Sequence, residues 1–370
     1  MTASWVLAAG RRLLAVADHE VTIPSKERAG DGAASGGEPA SANGSAPGTS
    51  RASVAAVLRR ASRAGGSSGG LAVVFVVLCA FFALSSPYFL TYGNALAIGD
   101  EIATLGVIAA GSTLVIISGG IDLSVGASVA LGATVMGVFY QYQGIPLPIA
   151  IVCGLLAGTV VGLINGLVIT RGRIAPFIAT LGTMTAARGV ANMMTNGVQV
   201  SGYPLWFDQL ATKRYFGLSV CTAALILVFI LVGIYLSRRP GGRQVYAVGG
   251  NETVAKLAGI NVDVVKIKAY ALTGFLSALG GIILASRLDS ATPSLGTGIE
   301  LQVIAAVVIG GASLSGGIGW MGGTVLGVLI IGILSNGLNI MGVSSFMQQV
   351  VIGTVIVGAV MIDSFRRRAH

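Results

Sequence analysis

From residue 69 onward, long continuous runs of apolar residues alternate with short polar interruptions, a rhythm that predicts a bundle of membrane helices. Crossing the hydrocarbon takes about 20 apolar residues per helix. Ten runs approach that length: 69–90, 96–118, 122–140, 146–170, 174–196, 217–237, 266–286, 300–315, 318–340 and 345–364. In lipid the backbone must satisfy its own hydrogen bonds, which leaves helices or closed barrels. The runs are continuous where barrel strands would alternate, so a barrel is excluded. The expected fold is all-α, a polytopic bundle of about ten transmembrane helices with broken or re-entrant segments. Two runs fit least well. The one over 174–196 carries Arg188 and many polar residues, and the one over 300–315 is short and ends in glycines. Each is a candidate re-entrant segment.

Composition sharpens this reading. Apolar residues make up 54% of the 370 and charged residues only 10%, too little charge to wet a soluble surface. Mean hydropathy is +0.84. Fifty-five glycines allow close helix packing and broken helices. Cys79, Cys153 and Cys221 lie inside apolar runs without metal spacing, and His19 and His370 sit near the termini. Neither a disulfide framework nor a His-based catalytic or metal site is expected.

The formal charge of +9 reflects basic residues at helix ends, with no nucleic-acid partner implied. Residues 1–68 differ from the rest. The stretch from Pro24 to Ser68 is rich in Gly, Ser, Ala, Pro and Arg and lacks hydrophobic period, which predicts a disordered extension. The transmembrane domain is expected over 69–366. Arg51, Arg59, Arg60 and Arg63 before the first run place the N-terminus in the cytoplasm. Threading ten spans from there puts three further basic groups on the same side. These are Arg171 with Arg173, the loop 238–268, and the tail Arg366 to Arg368. Both termini are then cytoplasmic, and membrane lipid covers the bundle.

Three polar interruptions carry candidate chemistry. In the loop 238–268, Gly250, Asn251, Glu252, Ala255, Gly259 and Ile260 belong to an expected short helix. Asn251 is its N-cap, Glu252 favours its positive start, and Gly259 closes it as a C′ glycine. Its apolar positions Val254, Leu257 and Ala258 share one face, which either docks on a partner or lies against the bundle. The second interruption holds Gly119, Gly120, Asp122, Ser124 and Gly126. A carboxylate within the membrane costs about 2.5–3.5 kcal/mol unless paired, hydrated or near the interface. Asp122 either caps the next helix start or contacts a solute. The third interruption, with Gly310, Gly311, Ser313, Gly316 and Gly317, implies a tight turn or unwound backbone. It lacks the spacing of a phosphate-binding loop, and no lysine of the chain follows a glycine, so the usual P-loop is absent. Asn165, Asn192, Asn336 and Asn339 either bridge helices or hydrogen-bond a polyhydroxylated solute. Trp206, Phe207 and Trp320 read as interface-belt aromatics.

Together these segments resemble the permease subunit of bacterial monosaccharide ABC importers. That is the ribose, xylose and galactose branch of the branched-chain amino acid and sugar permease superfamily. The matching pieces are ISGGIDLSVG at 117–126, INGLVITRGRIAPFIATLGTMTAARGVA at 164–191, AVGGNETVAKLAGINVDVVKIKAYALTG at 247–274, AAVVIGGASLSGGIG at 305–319 and GVSSFMQQVVIG at 342–353. The resemblance implies a pair of permease subunits, two cytoplasmic ATPases holding ATP-Mg, and an extracytoplasmic sugar-binding protein. This chain itself would hold no cofactor and no catalytic residue. The segment from Asn251 to Ile260 would be the coupling helix that meets the ATPase, in the plasma membrane of a bacterium. Two departures from the family pattern stand out. Thr253-Val254 replaces small residues after the glutamate, and Asp100-Glu101 puts two acids into the second run. These acids are expected to be helix-start residues or binding-protein contacts.

Two other classes compete. An ion-driven secondary transporter would need a coupling carboxylate, for which Asp122 and Glu300 are available. A membrane-embedded enzyme would need an acid pair, a His pair or an activated Cys, and the chain has none at suitable spacing. Within the importer family, another small polar solute is the remaining alternative to a sugar.

Overall fold

The computed structural model describes residues 67–368. The expected disordered extension therefore lies outside the described residues, save Ser67 and Ser68, which open the first helix. Thirteen helices are described: α1 Ser67–Ser85, α2 Tyr92–Ile117, α3 Val125–Gln141, α4 Leu147–Thr170, α5 Pro176–Thr195, α6 Leu205–Thr212, α7 Val220–Arg238, α8 Pro240–Gly250, α9 Glu252–Leu257, α10 Val262–Leu288, α11 Ile299–Ile309, α12 Met321–Ile340 and α13 Ser345–Arg368. Four two-residue strands join them: β1 Val200–Ser201, β2 Arg214–Tyr215, β3 Leu218–Ser219 and β4 Ser290–Ala291.

Each of the ten expected runs contains a helix, but they are not ten equivalent spans. Five helices, α2, α4, α7, α10 and α12, are long and apolar enough to cross a membrane. The run over 300–315 falls furthest short of a full span, in keeping with its reading as a candidate re-entrant segment. Helix α11 has 11 residues, a rise of about 16 Å, which is half of a hydrocarbon core of about 30 Å. It stops at Ile309 because Gly311 adopts φ +91° and the backbone N–H groups of Gly311 and Ala312 turn back onto Val308 and Val307. That pair of bonds is the Schellman end, which glycine adopts without a Cβ penalty.

Helix α10 is the axis of the bundle and packs against α2, α3 and α4. Small residues make this possible. A Cβ on Gly274 would lie 3.0 Å from the Cα of Gly162, and one on Gly132 would lie 2.7 Å from the Cβ of Ala278. Backbones this close replace the hydrophobic drive that lipid cannot supply. At one end of the bundle, β1 pairs antiparallel with β4, tying the chain after α5 to the chain after α10. Beside it the β2–β3 hairpin turns through Phe216 and Gly217, both at positive φ, as a two-residue hairpin loop requires. Helices α8 and α9 lie at the opposite end, between the C-terminus of α7 and the N-terminus of α10.

The aromatics of α6 depart from expectation in part. Phe207 is fully buried between Tyr203 and Trp206, and its carbonyl accepts a hydrogen bond from Ser286 of α10. It is a packing residue and not a belt residue, while Trp206 is 43% exposed.

Candidate functional site

The three glycine-bearing interruptions, more than 40 residues apart from one another in sequence, meet at one place. Helix α2 ends at Ile117 with the same geometry as α11. Gly119 takes φ +81°, and the N–H groups of Gly119 and Gly120 bond Ile116 and Val115. Helix α9 repeats it, with Gly259 at φ +80° and bonds from Gly259 and Ile260 to Lys256 and Ala255. Three of the segments singled out by sequence thus carry the same glycine-dependent helix end.

The contact among them is made by backbone. The Ile117 carbonyl accepts the N–H of Gly317 at 2.8 Å. A Cβ on Gly249 would collide with the Ile117 carbonyl and sit 2.6 Å from the Gly317 nitrogen. A Cβ on Gly316, whose φ is +85°, would sit 2.7 Å from the Gly249 oxygen and 2.8 Å from the Gly119 Cα. One on Gly317 would sit 2.9 Å from the Gly250 Cα. The last turn of α8 therefore lies directly on both helix breaks. Tyr246 of α8 adds a side-chain bond, its hydroxyl donating to the Gly319 carbonyl at 2.8 Å. Burial pushes this hydroxyl's pKa up, so it remains a neutral donor.

Helix α9 continues from this seam. The Asn251 side chain accepts from the Val254 N–H at 3.0 Å, the expected cap. Glu252 pairs with Lys266 of α10, holding α9 to that helix. Ala255 is buried and Ile260 half-buried, whereas Val254 is 59% and Leu257 84% exposed. The apolar face predicted for this helix is turned away from the bundle and uncovered among the described residues.

Asp122 is placed differently from the expected cap. Helix α3 begins at Val125 with Ser124 as N-cap, and Asp122 accepts from the Ser124 N–H at 2.8 Å and hydroxyl at 2.6 Å. The Ser124 oxygen in turn accepts from the Asn165 amide at 2.8 Å. The Asn165 carbonyl accepts from Thr183 at 2.5 Å. Buried Asp122, Ser124 and Asn165 and half-buried Thr183, from the 122–124 turn, α4 and α5, form one chain in which each side chain has a partner. Asn165 is thus a bridge between helices, whereas the Asn192 amide bonds only its own helix, at Arg188.

The remaining candidates lie around the third interruption. Gly310 packs on Gly323 and Thr324 of α12, and Ser313 is buried, its N–H donating to the Ile318 carbonyl. Gly126 lies against Gly296 and the Glu300 carboxylate, where the chain before α11 turns back into the bundle. Arg188 fixes that return by donating to the carbonyls of Pro293 and Leu295 at 2.6 and 2.9 Å. Sequence reasoning missed Thr183, Tyr246 and Arg188 as parts of the site. Only Arg188 gave a signal, as a lone charge inside an apolar run. Among the described residues, no three His, Cys, Asp or Glu side chains gather into a metal site.

The architecture can be set beside known proteins. Residues 94–360 match the family described as branched-chain amino acid transport system / permease component. The ribose import permease protein RbsC of Bacillus subtilis is 48% identical over 290 residues, covering 78% of this chain and 89% of that protein. The ribose import permease of Escherichia coli K12 is 40% identical over 296 residues, covering 79% and 92%. The L-arabinose transport system permease protein AraH of the same organism is 38% identical over 300 residues, covering 81% and 91%. No solved structure matches the chain.

Proposed function

The chain belongs to the branched-chain amino acid transport system / permease component family, and from that premise we propose that it is the membrane subunit of an ABC importer for a simple sugar. Relatives named for ribose and L-arabinose support the solute class. In this reading two copies form the pore, a separate ATPase supplies the work on the cytoplasmic side, and an extracytoplasmic binding protein delivers the sugar. The α8–α9 end and both termini face the cytoplasm, in keeping with the basic residues there.

The observation that carries the mechanism is the glycine seam. Helix α9 offers Val254 and Leu257 outward to a groove on the ATPase. At its N-terminal side it is joined to Gly249 and Gly250, which lie on the breaks after α2 and after α11. ATP binding draws α9 along with its ATPase, and the backbone seam passes that displacement to the ends of two membrane helices. The bundle then alternates between outward and inward openings. Gly250, Asn251, Glu252, Ala255, Gly259 and Ile260 are the coupling residues. Gly119, Gly120, Gly310, Gly311, Gly316 and Gly317 shape the breaks that respond. Asp122, Ser124 and Asn165 hold α3, α4 and α5 together beside them.

The test is uptake of labelled D-ribose into vesicles containing the permease, the ATPase and the binding protein. Accumulation should require ATP and all three components. Uphill uptake by the permease alone under an ion gradient would overturn this reading in favour of a secondary transporter.

A further inference from the structure

At the end of the bundle away from α9, a cavity of 120 Å³ opens between α2, α10, α11 and α12. Its polar lining comprises Glu101, Thr104, Arg287, Gln302 and Ser335. We propose that this cavity is a solute-contacting subsite of the pore, binding one sugar ring through its hydroxyls. The inference rests on the transport reading above and assigns the place where the pore wall meets the sugar.

Four observations support it. First, the lining has the chemistry a polyol needs: a carboxylate to accept from adjacent hydroxyls, a guanidinium to donate, and an amide and hydroxyls that do both. Second, that capacity is only partly spent. Glu101 shares a hydrogen bond with the Asn336 side chain, and it and Arg287 attract each other across the space but form no ion pair among the described residues. The Thr104 hydroxyl is 3% exposed with no hydrogen-bond partner, and the Oδ1 of Asn336, whose side chain lies beside Glu101, is likewise buried without one. Acid and base in apolar helices are costly, and where they stay unpaired the cost calls for a ligand or water. Third, the size fits. At roughly 30 Å³ per water the space holds about four waters, close to the volume of one pentose ring. Fourth, the position ties the cavity to the seam, because α11 borders the cavity at its start and reaches the glycine seam at its other end. Its first two turns bring Gln302 to the cavity, and its last residue leads to Gly310.

Asp100, the neighbour of Glu101, is excluded from this role. Its carboxylate is taken by Arg214 at 3.0 Å, Ser219 at 2.6 Å and Thr222 at 2.8 Å, which fasten the β2–β3 hairpin to α2.

The test uses the reconstituted full importer and measures labelled D-ribose and L-arabinose moved per ATP hydrolysed. Glu101→Gln and Gln302→Ala should each lower sugar moved per ATP about tenfold, the loss of one hydrogen bond to a strongly bound group. ATP hydrolysis stimulated by the loaded binding protein should be unchanged. Thr104→Val, which keeps shape but not the hydroxyl, should reduce transport severalfold, and Thr104→Ser should restore it. Unchanged sugar-to-ATP ratios in Glu101→Gln and Gln302→Ala overturn the subsite. Parallel loss of uptake and hydrolysis in every variant, Thr104→Ser included, overturns it as well and makes the cavity a structural one. If the unaltered importer moves neither sugar, the transport reading itself fails and the subsite with it.

Discussion

The two ends of the bundle handle polar groups in apolar helices in opposite ways. At the α8–α9 end, Asp122, Ser124, Asn165 and Thr183 form a chain of short bonds in which every member has a partner. Around it, glycine backbones touch and leave no space. At the other end, Glu101, Thr104, Arg287, Gln302 and Ser335 border a cavity, and the Thr104 hydroxyl has no partner. Saturation is what separates the two ends. A saturated network fixes helices against one another, while an unsaturated one keeps its bonding capacity for a visitor. A polar residue in a membrane span is therefore not evidence of solute contact until its partners have been counted.

Four substitutions would break or sharpen this contrast. The largest effect is expected for Gly249→Ala, whose methyl would meet the Ile117 carbonyl and the Gly317 nitrogen. Backbone cannot yield as a side-chain tip does, so ATP-driven uptake should be lost while the protein still inserts. Membrane yield and labelled-sugar accumulation measure the two. Asp122→Ala comes next. It strips a buried charged acceptor from the Ser124 N–H and hydroxyl, and should cost about 3 kcal/mol, read as a lower denaturant midpoint in detergent. Asn165→Ala should cost about 2 kcal/mol by leaving Ser124 and Thr183 without their shared partner. Its sugar-to-ATP ratio should stay normal in the molecules that remain folded. The smallest stability effect belongs to Gln302→Ala at the open end, within about 0.5 kcal/mol. A large loss there would mean that the cavity is a structural element, and the contrast between the ends would disappear.

Much of the fold was legible because lipid imposes one rule on every span. Apolar length located a helix in each of the ten runs, and the single-residue signals at Asn251 and Gly259 located both ends of α9. Helix α11 showed the limit of that rule. Its run of apolar residues continues to Ile309, yet the chain before it, from Thr292 to Gly298, turns inward and halves its reach. Hydropathy measures what lipid or protein will accept and cannot tell a half-length helix buried in protein from a full span. Phe207 failed for the same reason, since an aromatic suits an interface belt and a protein core alike. The meeting of Gly119, Gly249 and Gly316 left no local trace. Each glycine was visible as a break, but that the three breaks touch is a property of packing.

Helix α9 is six residues long, fewer than two turns at about 3.6 residues each. A rod so short has no bending mode in which to dissipate a push. On its bundle side the next parts are backbone atoms of glycines, with no side chains whose rotamers could absorb displacement. Such a joint behaves as a stiff lever on a hard pivot. A displacement at Leu257 has little to soften it before Ile117, and a methyl placed on Gly249 or Gly316 would act as a jammed shim.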